Sequence, residues 1–368
     1  MTVFAQFSEI QDPRIDRSKH YELASLFFLT ISAVVADCEH FTEIADFAED
    51  RLDWFQSHGH FLDGRTPSHD VLGKLFHRLD PVAFQTCFIR WTTDLAQQTE
   101  GRLVGIDGKT IRGSHDAHEG KKAIHVINAW CSANQVVLAQ MKVDGKSNEI
   151  TAIPELLALL DLKGAIVSID AMGCQTAIAE AIIEHGGNYL LGLKGNQGDL
   201  LEKVEMLFVH HQPSSSHQQI EKGHGRIEQR QCEVIDAPAL LKAFPAWKDL
   251  RSVVRIKSTR QPSRGGEATE EIRFYISSAT AQAERFGSWI RQHWGVENQV
   301  HWMLDVIFDE DGSRIRKGHA DQNMAIVRRT ALNMCRKHHD PAKSLSRKRM
   351  TAARRNDYLD LLLGIKRR

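Results

Sequence analysis

At 368 residues, 42% hydrophobic and 26% charged, the chain has room for two domains or one large domain with an insertion, and its composition excludes both disorder and a disulfide scaffold. The formal net charge of zero conceals a division. Lys and Arg number 8 against 16 Asp and Glu in residues 1–100, 28 against 28 in 101–335, and 11 against 3 in 336–368, so the last segment reads as a basic tail suited to a polyanion.

The six cysteines form no C-x-x-C pair, which argues against a zinc site or a redox motif and for reduced thiols in a cytoplasm. The apolar stretch from Leu23 to Val35 is too short to span a bilayer, and the polar start fits no signal peptide, so no membrane role is expected.

From Tyr21 to about Gln98 the apolar periodicity is helical throughout. "TPSHDVLGKLFHRLD" begins with Ser68 as N-cap, and "DPVAFQTCFIRWTTDLAQQ" with Asp80 as cap and Pro81 at the first helical position. Such a tight helix pair suits a helix-turn-helix, although acidic surroundings make a poor DNA reader. At residue 102 the grammar changes. "RLVGIDG", "AIHVINAWCS" and "QVVLAQMKVD" read as three successive strands, followed by helix "NEITAIPELLALLDL", strand "GAIVSIDA", helix "CQTAIAEAIIEHG" and strand "YLLGLKG". That order predicts an α/β sheet of mixed strand direction. Helix "GDLLEKVEMLFVHH" then leads into a polar segment, "QPSSSHQQ". Three further strands follow in "RIEQRQCEVIDA", "SVVRIKSTRQ" and "EEIRFYISS", and helical stretches close the chain.

Two aspartates stand at strand ends beside small residues: Asp107 in "VGIDG" and Asp170 in "VSIDAMG". Ligands of α/β sheets gather at the carboxyl ends of strands. A facing pair of carboxylates repels unless a cation is shared, and oxygen donors suit Mg²⁺ or Mn²⁺. Taken singly, either Asp also reads as a cap of the following turn. Further on, Glu297, His301 and Asp305 recur at a spacing of four, which in an α-helix puts them on one face. His293 and His301 read equally as histidines satisfied within the core.

With these residues in place, the chain resembles bacterial insertion-sequence transposases of the DDE superfamily, above all the ISAs-type group that includes the H-repeat-associated proteins of Rhs elements. The resemblance rests on "GIDGKTIRGS" (105–114), "SIDAMGCQ" (168–175), "YLLGLKGNQ" (189–197), "KGHGRIEQR" (222–230) and "IRQHWGVENQVHWMLDVIFDEDGSRIRKGHADQNMA" (290–325). It implies an all-α N-terminal domain over 1–99, an RNase H-like DDE catalytic domain over 100–335 with a β-rich insertion at about 198–280, and a basic C-terminal tail over 336–368.

In function the resemblance implies divalent-metal-dependent cleavage of double-stranded DNA at element ends and transfer of the 3′ hydroxyl into a target, by a homodimer. Asp107 would bridge two Mg²⁺ or Mn²⁺ ions with DNA bound, with Asp170 on one ion and Glu297 on the other. Ala171 and Gly173 would keep the approach to Asp170 open. Some related transposases place a Lys seven residues after the Glu and an Arg four before it; here those positions are Leu304 and His293. Phosphate contacts then fall to Arg291, His301 or Lys194, or are missing. Lys109 and Arg112 are expected to point toward DNA, Lys194 and Asn196 to stand on the rim, and His224 and Arg226 to approach phosphate from a hairpin. Trp289, Trp294 and Trp302 suit either base stacking or core packing. A nuclease that does not integrate, and a copy that binds DNA without catalysis, remain the alternatives.

Overall fold

The structure, a computed structural model, describes residues 3–96, 102–143, 149–223, 225–263 and 265–365. Six helices come first: α1 (Val3–Phe7), α2 (Leu23–Val35), α3 (Phe41–Asp50), α4 (Leu52–Ser57), α5 (His69–Arg78) and α6 (Pro81–Leu95). Asp80 caps α6 as its sequence requires, its side chain accepting from the Val82 N–H at 2.9 Å. Ser68 holds the N-cap position of α5 without a side-chain bond.

One nine-stranded sheet organises the rest, in the order β3-β2-β1-β4-β5-β9-β8-β7-β6. Strands β1 (Leu103–Thr110), β2 (His125–Cys131) and β3 (Val136–Val143) form an antiparallel meander. β4 (Ile166–Ile169) and β5 (Asn188–Leu193) run parallel to β1, linked by α7 (Glu149–Leu157) and α8 (Thr176–Glu184). This 3-2-1-4-5 order is that of the RNase H-like core expected from the motifs.

The insertion extends that sheet. After α9 (Gly198–His210), β6 (Ser215–Gly223) and β7 (Arg226–Asp236) form a long hairpin; α10 (Pro238–Ala243), β8 (Ser252–Pro262) and β9 (Thr269–Ser277) follow, and β9 docks antiparallel on β5. The first half of β6, Ser215–Gln219, had read as part of the polar segment "QPSSSHQQ" because it holds no aliphatic residue. The chain then enters α11 (Ala283–His293), a π-helical turn at Glu297–His301, α12 (Trp302–Val306), α13 (Ala320–Lys337), α14 (Leu345–Arg354) and α15 (Asn356–Leu363).

α13 is buried nearly all round, because it is packed from both sides. It lies between the N-terminal helices and β3. Asn323 donates to the carbonyls of Phe76 and Leu79, and Asn333 bonds both backbone groups of Val137. A single apolar core therefore runs from Phe27 and Phe84 through Met324 and Val327 to Leu359. The basic segment 336–368 had read as a tail. Instead its described part folds as α14 and α15 against this core, with Arg349 fully buried.

Candidate active site

β1 and β4 are paired in parallel up to Ile106↔Ile169, so Asp107 and Asp170 are the next residues of neighbouring strands. Asp170 leaves β4, whereas Asp107, expected at a strand end, lies inside β1, which continues along β2 to Thr110, and stands opposite Asn128. Asp107 is half-buried, and its Oδ1 accepts the Gly108 N–H at 2.9 Å. Asp170 is exposed and caps the turn Ala171–Gly173 through Oδ1, accepting from Met172 and Gly173. It thus fulfils the capping role and the strand-end placement together. Gly173 does not serve to open the approach: it is buried, and a Cβ there would collide with Ile169.

Glu297 stands in the helical run beyond α11, where its charge acts on Asp107. That helix lies directly on β1 because Gly105 has no side chain; a Cβ there would meet Val296 Cγ2 at 2.5 Å. His293 fastens the same helix to β4 through a 2.9 Å bond between Nδ1 and Ser168 Oγ. Burial lowers the His293 pKa to about 4, so it is a neutral structural partner. The turn Glu297–His301 is π-helical where an α-helix was expected, and the three residues spaced by four differ in their surroundings. Glu297 is exposed, His301 is buried, and Asp305 pairs with Lys109.

Burial is the first cause of the Asp107 carboxyl being pushed up to about 7; the negative charges of Asp170, Glu149 and Glu297 add to it, against the opposing Gly108 N–H. Asp107 therefore sits in the field of both other predicted carboxylates and of Glu149. Such a cluster is satisfied by a cation, and oxygen donors suit Mg²⁺ or Mn²⁺. Among the described residues no three His, Cys, Asp or Glu side chains close around a common point. Mg²⁺ is commonly held by one or two carboxylates with water and substrate phosphate completing its shell, so the donor set fits such an ion when DNA is present.

Of the groups expected to contact DNA, Lys109 and His301 are placed elsewhere. Lys109 is 8% exposed and paired with Asp305, with Glu310 at 2.9 Å and with Asp311 at 3.3 Å, so its charge is neutralised inside the fold. Burial lowers the His301 pKa to about 3, and Arg329 and Lys109 lower it further, so the ring is neutral and no phosphate cation. Arg112 is largely exposed, and its backbone N–H is anchored by Asp311. Lys194 is exposed just after β5, and Asn196 Nδ2 donates to the Ala171 carbonyl at 2.8 Å, so both flank Asp170.

Arg226 and Arg291 lie apart from these, on a groove of about 940 Å³ between the inserted strands and α11. Arg226 pairs with Glu228 at 2.6 Å, Arg291 with Glu221 at 2.7 Å. Trp294 lines the groove beneath the Arg273 guanidinium. His224 lies outside the described residues, although the β6–β7 hairpin it was assigned to is present. Trp289 is buried in the core, whereas Trp294 and Trp302 are about half exposed.

Sequence reasoning missed the residues behind Asp107: His125, Asn128, Glu149, Glu310 and Arg329. Their signal was polarity inside apolar runs, as in "HVINAWC" and "MAIVRRTALNM".

Comparison with known proteins adds to this geometry. Residues 98–334 match the family described as Transposase DDE domain, and residues 4–92 the family described as DDE_Tnp_1-associated. The Escherichia coli K12 protein YbfL is 40% identical over 97% of this chain and 96% of its own length. From the same strain, "H repeat-associated putative transposase YhhI" is 39% identical over the same shares. A cryo-EM structure of the piggyBac transposase synaptic complex with hairpin DNA aligns with all of this chain and 81% of its own, at 13% identity and a TM-score of 0.39, a likeness too low to carry an argument.

Proposed function

The chain belongs to the transposase DDE-domain family, and from that premise we propose that it cuts DNA at the ends of an insertion element and joins the freed 3′ hydroxyls to a target, with Asp107, Asp170 and Glu297 as its metal-holding carboxylates. The observation that carries this reading is that Asp107 and Asp170 each follow the last residues paired between β1 and β4, in a sheet where Glu297 acts electrostatically on Asp107.

Asp107, Asp170 and Glu297 are the residues that would hold Mg²⁺ or Mn²⁺, with Asp107 central to the three. When bound, such ions activate the attacking oxygen and neutralise charge on the leaving oxygen of an in-line displacement at phosphorus. The protein itself supplies position and charge. Arg112 and Lys194 are exposed cations near the strand ends and bind phosphate there; Arg226 and Arg291 do so along the groove. Asn196 holds the turn after Asp170 against the end of β5. Two ends must be processed together, so the working unit on DNA is a homodimer. The setting is a bacterial cytoplasm, in keeping with six cysteines that are all unpaired.

The test is cleavage of supercoiled DNA carrying the gene with its native flanks, in Mg²⁺, by the wild type and by Glu297→Gln and Asp107→Asn. Boundary cuts and joined products by the wild type alone are expected. Cutting that survives either substitution would refute the assignment, and cutting without joining would identify a nuclease.

A further inference from the structure

Behind Asp107 runs an unbroken chain of buried polar groups that the proposed chemistry leaves unexplained. His301 Nδ1 lies 3.5 Å from Asp107 Oδ2. The other ring nitrogen, Nε2, is 3.4 Å from Asn128 Nδ2, and Asn128 is fully buried in the middle of β2. Arg329 Nε donates to Asn128 Oδ1 at 2.6 Å, and Arg329 Nη1 donates to Glu310 Oε1 at 2.6 Å. Lys109 donates to the second oxygen, Glu310 Oε2, at 2.9 Å. Arg329 and Glu310 have no exposed surface at all. Burying three charges for packing alone is costly, so the arrangement calls for a reason.

The chemistry of the donors makes this chain directional. A guanidinium can only donate, so the Asn128 atom facing Arg329 must be the oxygen. The amide orientation, ordinarily ambiguous, is thereby fixed, and the atom facing His301 is the NH₂ group. That group donates, so Nε2 must offer its lone pair. In a neutral imidazole the hydrogen then resides on Nδ1, the nitrogen beside Asp107.

We propose that His301 is a positioning residue for Asp107, its Nδ1–H tautomer imposed through Asn128 by the buried Arg329–Glu310–Lys109 cluster, so that the ring donates to Oδ2 and sets the carboxylate's orientation for metal. The proposal rests on the metal reading of Asp107 given above. At 3.5 Å the contact is longer than a formed hydrogen bond, and it tightens when the carboxylate is charged and bound to metal. Partners of this kind, one bond removed from the ion, govern metal affinity.

Two measurements on the full chain test it. In protein labelled with ¹⁵N-histidine, the signal lost in His301→Asn identifies His301, and its shifts should report hydrogen on Nδ1. Mn²⁺ binding, followed by electron paramagnetic resonance, should remain near wild type in His301→Asn, whose amide can occupy the Nδ1 position. It should weaken about ten- to a hundredfold in His301→Gln, whose amide reaches toward Nε2 instead. Melting curves confirm that both variants fold. An Nε2–H tautomer in the wild type overturns the proposal, as do equal losses in the two variants. Tight Mn²⁺ binding by the wild type and both variants overturns the positioning role alone. A wild type that binds no Mn²⁺ overturns the metal reading of Asp107 and the positioning role with it.

Discussion

Glu310 shows how a single carboxylate supports both the stability and the active site of this chain. Burial works against its charge, yet Arg329, Lys109 and Arg328 hold its pKa far below the ordinary value of 4.5. A carboxylate depressed in the folded state stabilises fully above its unfolded pKa, and that contribution is lost as pH falls toward the folded value. Glu310→Gln should therefore cost about 3–5 kcal/mol near neutral pH, because it leaves two buried cations short of a partner. In denaturant titrations across pH, the variant's stability should also decline less steeply below about pH 4.5 than the wild type's. Lys109 and Arg112 separate in the same way. Lys109→Ala should lower the melting temperature and leave the salt dependence of DNA binding unchanged, whereas Arg112→Ala should lower the slope of log K against log salt by about one. Equal slopes for wild type and Arg112→Ala would remove Arg112 from the phosphate contacts.

The decisive element is the helical run that carries Glu297. Its π-helical turn carries the exposed Glu297 at one end and the buried His301, beside Asp107, at the other. Deleting Asn298 should restore α-helical winding and rotate the two out of this relation. The expected result is unchanged helix content by circular dichroism with loss of DNA cleavage; retained cleavage would show that the turn is dispensable. Strand β1 answers to the same helix. Gly105→Ala would drive a Cβ into Val296, a short branched side chain with little freedom to move, and should cost about 1–3 kcal/mol in chemical denaturation.

Across the whole molecule, the described parts of segments 1–99, 100–335 and 336–368 share one core. Arg349 of α14 donates to the Val34 carbonyl at 2.8 Å and to Glu39 at 2.5 Å, and its guanidinium lies 4.0 Å from the Phe308 ring centroid. Removing 336–368 should therefore lose the cooperative thermal transition instead of merely weakening DNA binding. Arg347 and Arg354 are exposed cations of α14. Replacing both with Ala should leave the transition in place and, if this face meets DNA, lower the salt slope by up to about two.

Much of the catalytic core was legible in the order of residues. Strand-forming runs containing Asp107 and ending at Asp170, with alternating helices between, specify a mixed sheet because a two-residue period and flanking turns are local properties; that β1 runs on to Thr110 was hidden by Gly108. The cap at Asp80 was equally readable. β6 was not, since an exposed strand carries no apolar alternation and pairing alone defines it. Nor could the π-helical turn be read, because one inserted residue leaves the apolar spacing almost unaltered. Charge misled most where burial intervened. Lys109 and Arg349 look like free cations in a string of letters, and only their distant partners, Glu310 in one case and Val34 and Glu39 in the other, show that both are interior. Local pattern determined the strands and the carboxylates they carry; which charges face solvent depends on contacts between residues hundreds of positions apart, and those exist only once the chain has folded.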